Sequence, residues 1–256
     1  MLLALDIGNT NITIGVYKED KLLFTSRVAT DSKRMADQYA VEFVGIFSLR
    51  KCSLEDIDGA IISSVVPSVT NAIVEAVKTT VGVNPLIVGS GIKTGLNIAI
   101  NDPGTLGADL LAVSVAALNK YPLPNVVCDL GTASTISVLD SEGKMIGGII
   151  YPGVRTSLMA LVNNTAQLPE ISYSTPKRVV GRNTIECMQS GLIFGAAAQL
   201  DGMIDRIEEE LGSSVTAIAT GGFSTEIVRN CKRKFIPDEN LVLEGLKILY
   251  EKNRKN

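Results

Sequence analysis

Leu2–Asp6 is a short apolar run closed by an acid, the pattern of a buried strand. After Gly8-Asn9, residues 10–17 alternate with period two, which predicts a second strand, and Lys21–Val28 predicts a third beyond the turn at Lys18-Glu19-Asp20. The period then changes. Met35, Tyr39, Phe43, Ile46 and Phe47 fall on one face of a helix over 33–50. A strand over 59–66 is stopped by Pro67, and a helix over 69–80, a strand over 85–88 and a helix over 108–119 follow. Beyond Pro122 and Pro124, Asn125–Asp129 reads as another buried strand, with further strands over 134–139 and 145–151. The rest alternates: a helix near 154–164, a polar loop through Lys177, and a long helix from Thr184 to about Leu211. A strand over 215–219, a helix, a short stretch over 234–238 and a charged helix from Asn240 to about Lys252 complete the series. Strands first, then strand–helix alternation, predicts α/β architecture with a mixed sheet.

The pattern occurs twice. Asp6-Ile7-Gly8-Asn9-Thr10 matches Asp129-Leu130-Gly131-Thr132-Ala133 at an offset of 123 residues. The same offset places Lys21 on Lys144 and Leu22–Val28 on Met145–Tyr151. A shared offset through three strands points to a duplicated domain, 1–120 and 121–256, divided near Tyr121-Pro122-Leu123-Pro124.

Composition narrows the chemistry. The 256 residues suit one large domain or two smaller ones. Lys plus Arg is 24 against 27 for Asp plus Glu, so no basic excess points to nucleic acid or an anionic membrane. There is no His, which removes Ser-His and Cys-His nucleophiles and His-ligated metals. Any general base is then Asp, Glu, Lys, Tyr or Cys. There is no Trp, and aromatics are 5%, a poor basis for base-stacking platforms. Cys52, Cys128, Cys187 and Cys231 form no C-x-x-C pair, an acid stands at residue 6, and no apolar run approaches membrane-spanning length. These features predict a soluble, reduced, cytoplasmic protein.

Four turns could carry chemistry. Asp6-Ile7-Gly8-Asn9-Thr10 is a strand ending in an acid and a tight turn. Gly8 can take positive φ and leave room for a phosphate, Asn9 and Thr10 add donors, and Asp6 could hold Mg²⁺ through water. A plain hairpin is the competing reading. Asp129-Leu130-Gly131-Thr132-Ala133 repeats the design, and as paired domains the two turns would meet around one polyphosphate. Thr220-Gly221-Gly222 opens a helix and suits approach to a ribose, adenine or anion, or is only a turn needing small residues. Gly107-Ala108-Asp109-Leu110 puts an acid in the first turn of a helix. It either complements the dipole or accepts a substrate hydroxyl proton. Gly89-Ser90-Gly91-Ile92-Lys93-Thr94 lacks the Gly that a P-loop needs before Lys. Gly191 and Gly195 give the long helix a small-residue face, for tight core packing or for a helix of a second copy.

Together these residues resemble the type III pantothenate kinases, within the acetate/sugar-kinase and actin-like ATPase superfamily, over nearly the whole chain. Asp6-x-Gly8-Asn9-Thr10 and Asp129-x-Gly131-Thr132-Ala133 resemble the family's two phosphate motifs. Ser63-Ser64-Val65-Val66-Pro67, Gly107-x-Asp109 and Gly147-Gly148-Ile149-Ile150-Tyr151-Pro152-Gly153 resemble further ones. Asn183-Thr184, Met188-Gln189-Ser190-Gly191, Thr220-Gly221-Gly222, and Asp238 with Leu243-Glu244-Gly245-Leu246 extend the match.

The resemblance implies duplicated ribonuclease-H-like, actin-like domains. Each is expected to be a mixed five-stranded sheet flanked by helices, with the active site in the interdomain cleft. It implies ATP-dependent phosphorylation of pantothenate, the first step toward coenzyme A. Asp6 would serve Mg²⁺, Asp129 a monovalent cation (K⁺ or NH₄⁺), and Asp109 would be the catalytic base. Gly8, Asn9, Thr10, Gly131, Thr132 and Ala133 would bind phosphates, and Thr220, Gly221 and Gly222 the adenosine side. Gly107, Ala108, Leu110 and Ile100 would line the pantothenate side, with Thr184 lent to the partner subunit of a homodimer. Two positions depart from the pattern: Leu110 stands where the family has Arg, and Ile100 near where many members place Tyr. Two other readings stay open, another small-molecule kinase of the superfamily and a catalytically degenerate accessory or binding protein.

Overall fold

The computed structural model describes residues 1–254. The chain is mixed α/β and forms two compact units, each with its own mixed sheet and core.

The first unit comprises Met1–Gly95, Asp102–Ala116 and the stretch from Leu241. Its sheet runs β3-β2-β1-β4-β5, from β1 (Leu2–Ile7), β2 (Asn11–Lys18), β3 (Lys21–Ala29), β4 (Gly59–Ser64) and β5 (Leu86–Ile87). The first three strands are an antiparallel meander, and β4 and β5 add in parallel. Alternation decides the faces: Leu3, Leu5, Ile7, Ile12, Ile14 and Val16 enter one core with Tyr39, Phe43 and Phe47 of helix α1 (Ala36–Leu49) and Val69, Ile73 and Val77 of α2 (Pro67–Val81). Met35 is not on that face. It is the residue before the first turn and is 72% exposed, so the apolar stripe begins one turn later than periodicity predicts. Pro67 ends the strand and also opens α2, where its missing N–H would have no partner in any case.

The opposite face is covered by α7 (Leu241–Asn253). Glycines permit the approach. A Cβ at Gly15 would lie 2.7 Å from Leu243 Cδ1, and one at Gly245 would lie 2.5 Å from the carbonyl carbon of Ala112 in α3 (Ala108–Lys120). The expected division into 1–120 and 121–256 therefore differs from the contacts. The apolar face of α7 carries the C-terminal stretch into the first unit, and α3 passes from the first unit into the second after Ala116.

The second unit comprises Leu96–Asn101 and Ala117–Asn240. Its strands are β6 (Asn97–Ile98), β7 (Asn125–Leu130), β8 (Ala133–Leu139), β9 (Lys144–Pro152), β10 (Thr216–Thr220) and β11 (Ile236–Pro237). They run β11-β10-β7-β8-β9-β6. Six strands replace the expected five because β6, two residues from before the duplicated segment, pairs in parallel with the edge of β9. Helices α4 (Val154–Asn164), α5 (Thr184–Leu211) and α6 (Ser224–Val228) pack Leu158, Leu192, Ile193, Leu200 and Ile227 onto Val126, Cys128 and Ile136.

The duplication extends to the topology. Strands β1 to β5 and β7 to β11 follow the same spatial order. Each second strand bulges against the third at an equivalent point, Val16/Tyr17 and Val138/Leu139. The hairpin turns differ: Ile7 pairs with Ile12, but Leu130 pairs with Ser134, so the second turn is one residue shorter.

Candidate active site

In the first unit, Asp6 lies near the end of β1, in register with Thr13 on one side and Ser63 on the other. The turn after it is held from inside. Gly8 N–H donates to Asn11 O at 3.0 Å, Thr30 Oγ1 donates to Gly8 O at 2.7 Å, and Thr30 N–H donates to Thr10 O at 3.0 Å. Gly8 does not adopt the positive φ expected of it; a Cβ there would instead meet Asn11 O at 3.2 Å, so small size is what the turn uses. Asn9 is exposed and Thr10 half-buried at the turn tip.

In the second unit, Asp129 lies near the end of β7, in register with Thr135 and Thr220. Gly131-Thr132 make the turn, with Ala133 opening β8. Gly153 N–H donates to Thr132 O at 3.1 Å and Thr156 Oγ1 donates to the same oxygen at 2.6 Å. A Cβ at Gly153 would lie 2.6 Å from Thr132 O and nearer still to Gly131 O, so only glycine closes this contact. The Thr220-Gly221-Gly222 turn packs on the same place. Phe223 N–H donates to Leu130 O at 3.2 Å, and Gly221, at φ +90, would drive a Cβ to 2.6 Å from Leu130 N and closer to Asp129 Oδ1. The structure thus brings together two of the turns singled out in the sequence, around Asp129.

Asp109 sits in the first turn of α3. Its Oδ1 accepts the Leu110 N–H at 2.8 Å. Burial pushes its carboxyl above the usual carboxylate value, against a smaller downward pull from the Leu110 N–H and its own. A Cβ at Gly107 would lie 2.5 Å from Asp109 Oδ1, so the glycine leaves the carboxylate its room, with Ala108 between them. Other candidate bases are less suited. Burial pushes the Cys128 thiol and the Tyr151 hydroxyl up, and the Cys231 thiol up to about 12, so these groups stay protonated.

Leu110 offers its backbone N–H to Asp109 where an Arg would offer a guanidinium. Ile100 is half-buried in the 96–101 segment, just before the Asp102-capped turn at Pro103–Thr105. Thr184 is exposed at the start of α5, behind Asn183, whose side chain accepts the Glu186 N–H at 2.9 Å. Gly191 and Gly195 are exposed, and a Cβ at either would meet nothing within 4 Å, so core packing does not account for them. They line a cavity of about 300 Å³ with Ser134, Tyr151, Ser157 and Gln199. Among the described residues, no group of three or more His, Cys, Asp or Glu forms a metal cage. Sequence reasoning missed Gly153 as the closure of the second turn and Thr13, Ser63 and Thr135 as neighbours of the two acids. Gly153 had a signal in the Gly147–Gly153 motif; the hydroxyl neighbours depend on strand register.

The sequence model of the type III pantothenate kinase family matches residues 2–206. A type III pantothenate kinase of Exiguobacterium sibiricum is 42% identical over 254 residues, 99% of this chain and 100% of that one. One from Halalkalibacterium halodurans is 39% identical over 253 residues, again 99% and 100%. Among solved structures, the activator of the 2-hydroxyisocaproyl-CoA dehydratase from Clostridium difficile, with bound ADPNP, superposes with a TM-score of 0.55 at 13% identity, covering 100% of this chain and 98% of that one. That likeness extends to the fold.

Proposed function

The chain belongs to the type III pantothenate kinase family, enzymes that phosphorylate pantothenate on the way to coenzyme A, and from that premise we propose how its residues divide the work. The reaction moves the γ-phosphoryl group of ATP to the primary hydroxyl of pantothenate. Such a transfer needs little covalent chemistry from the protein. It needs the phosphates held, their charge offset, and the incoming hydroxyl oriented and relieved of its proton.

Asp109 takes the last task. The observation that carries this reading is a half-buried carboxylate with a raised pKa at a helix start, in a chain without histidine. A raised pKa makes the carboxylate a better proton acceptor. The Leu110 N–H holds one oxygen, so the other is the one offered to the substrate hydroxyl. Gly107, Ala108, Leu110 and Ile100 shape the pantothenate side. With Leu at 110, the pantothenate carboxylate is met by backbone N–H groups or by another cation such as Lys93 or Arg182.

The phosphates fall to the two repeated turns, Gly8-Asn9-Thr10 and Gly131-Thr132-Ala133, and the adenosine to Thr220-Gly221-Gly222. Asp6 is the residue for Mg²⁺. That ion keeps its waters and is bound by one or two carboxylates together with substrate phosphates, a role that a single aspartate ahead of a phosphate turn suits. When bound, Mg²⁺ offsets the charge on the phosphate oxygens. Asp129 is the residue for K⁺ or NH₄⁺, supported by the close packing of two glycine turns on its carboxylate. We assign the enzyme to the cytoplasm, where its four free cysteines stay reduced. We also assign it a homodimeric state through the open face of α5, where Gly191 and Gly195 leave room for another helix and Thr184 lies at its start.

Incubation of the purified protein with ATP, Mg²⁺, K⁺ and either pantothenate, acetate, glycerol or a hexose tests the substrate. Phosphopantothenate detected by mass, with the other acceptors silent, is expected. Preferential phosphorylation of a sugar or carboxylate would replace pantothenate with another acceptor.

A further inference from the structure

Among the described residues, Asp238 is the one charged residue that the fold buries, at 9% exposed. Carboxylates are almost never buried unless they are paired. Here both oxygens are used. Oδ2 accepts from Lys120 Nζ at 2.8 Å and from the Tyr121 hydroxyl at 2.7 Å, and Oδ1 accepts the Asn240 N–H at 3.2 Å. Lys120 also stands over the Tyr121 ring, 5.6 Å from its centre. The two side-chain donors come from the last residue of α3 and the one after it, 118 and 117 residues earlier in the chain. All of these residues lie within the second unit.

The backbone of Asp238 continues a ladder. β11 is two residues long and lies at the edge of the sheet, parallel to β10. Pro237 stands opposite Ala219 and has no N–H to give. Asp238 supplies the next one, 2.8 Å from Ala219 O. Ala219 is the residue before Thr220-Gly221-Gly222. That turn is therefore held on two sides, from β7 by the Phe223 N–H on Leu130 O and from the sheet edge by Asp238. An edge strand this short, with Ile236 and Pro237 both exposed, buries too little to resist fraying by itself. The tie of the Asp238 carboxylate to Lys120 and Tyr121 anchors it.

We propose that Asp238 is a positioning residue for the nucleotide: tied to Lys120 and Tyr121, it fixes the end of β10 and with it the Thr220-Gly221-Gly222 turn. The inference rests on the assignment of that turn to the adenosine side. Asp238 acts through the turn, without touching the ligand. A buried ion pair adds little stability over apolar side chains of the same shape, and its best-attested use is to fix the register of the elements it joins. A turn ordered in advance binds more tightly than one ordered by its ligand. Ordering a single backbone residue at the moment of binding weakens affinity by about tenfold.

Calorimetric titration of the full chain with a non-hydrolysable ATP analogue and Mg²⁺ is compared with the pantothenate KM in wild type, Asp238→Ala, Tyr121→Phe and Gly221→Ala. Asp238→Ala is expected to bind the analogue about tenfold more weakly with the pantothenate KM unchanged, since the exposed Lys120 turns to solvent once released. Tyr121→Phe removes one contact to the same oxygen and leaves the carboxylate paired with Lys120, so it keeps the test open if Asp238→Ala does not fold. It is expected to weaken binding in the same direction by about threefold. A pantothenate KM that rises in step with the analogue Kd marks a general loss of structure and overturns the positioning role. Analogue affinity within about 1.5-fold of wild type in both Asp238→Ala and Tyr121→Phe, or in Tyr121→Phe alone if Asp238→Ala does not fold, while Gly221→Ala weakens it, overturns the role of Asp238 alone. Wild-type affinity in Gly221→Ala as well overturns the adenosine assignment of the turn and this inference with it.

Discussion

Gly221→Ala is expected to damage the second nucleotide turn through two separate effects that the backbone makes calculable. Gly221 sits at φ +90, a left-handed conformation that costs an ordinary residue about 1–2 kcal/mol. Its added Cβ would also stand 2.6 Å from Leu130 N and 2.7 Å from Leu130 C, both backbone atoms that cannot rotate away. Overpacking of that kind costs about 1–3 kcal/mol. The sum is about 2–5 kcal/mol, or a fall in thermal midpoint of roughly 4–20 °C for a chain of this length. Gly222→Ala is the control, since a Cβ there meets nothing within 4 Å and the backbone is not left-handed; it is expected to stay within about 0.5 kcal/mol of wild type. Calorimetric melting of the three proteins reads the stability, and titration with an ATP analogue reads the turn itself. The Cβ also presses on Asp129 Oδ1, so Gly221→Ala should weaken nucleotide binding as well as melting earlier. A Gly221→Ala protein that melts within about 1 °C of wild type would refute the steric reasoning.

Asp109→Asn is expected to lower kcat by about 10²–10⁴-fold with ATP affinity nearly unchanged, and retention of more than about a tenth of the rate would remove Asp109 as the base. Because burial raises its pKa and the base works ionised, the acid limb of the wild-type pH–rate profile should lie above the ordinary aspartate value of 3.8; a limb at or below that value contradicts the assignment. The same shift has a sign for stability. The unfolded chain ionises first as pH rises, so this residue's contribution turns unfavourable above the unfolded pKa and stays so above the folded one, and Asp109→Asn should melt no lower than wild type at neutral pH. Replacing K⁺ with Na⁺ or a bulky organic cation should lower the rate sharply in wild type but not in Asp129→Asn, and equal wild-type rates in all salts would remove the cation from Asp129. Sedimentation should show a dimer that Gly195→Glu converts to monomer, because the charge would stand on the open face of α5; an active wild-type monomer would contradict the subunit assignment.

Much of this was legible in the amino-acid pattern because it depends on local periodicity. The offset of 123 residues identifies the repeat, and β1 with β7 and β3 with β9 obey it to the residue. The second strands do not, since one turn is shorter by a residue, a difference that only pairing reveals. Strand β6 escaped because two residues carry no alternation. The placement of α7 escaped for another reason. An amphipathic helix shows an apolar face but not which sheet receives it, and here Gly15 and Gly245 decide by admitting Leu243 and Ala112 at short range. Among the site residues, the acids and glycines announced themselves as motifs. Ser63 stood in the Ser63–Pro67 motif but its place beside Asp6 did not show, and Thr135 did not show at all, because a hydroxyl in a strand gains its meaning from the neighbour across the ladder.

The most direct test of the account is a single pair of reactions. Wild-type protein and Asp109→Asn are each incubated with Mg²⁺, K⁺, pantothenate and ATP labelled in the γ-phosphoryl group, and the label is followed by mass. The account predicts label on the primary hydroxyl of pantothenate with wild type and almost none with Asp109→Asn, while both proteins bind the ATP analogue equally. Equal transfer by the two proteins would contradict the catalytic role of Asp109, and no transfer to pantothenate by the wild-type enzyme would contradict the assigned substrate.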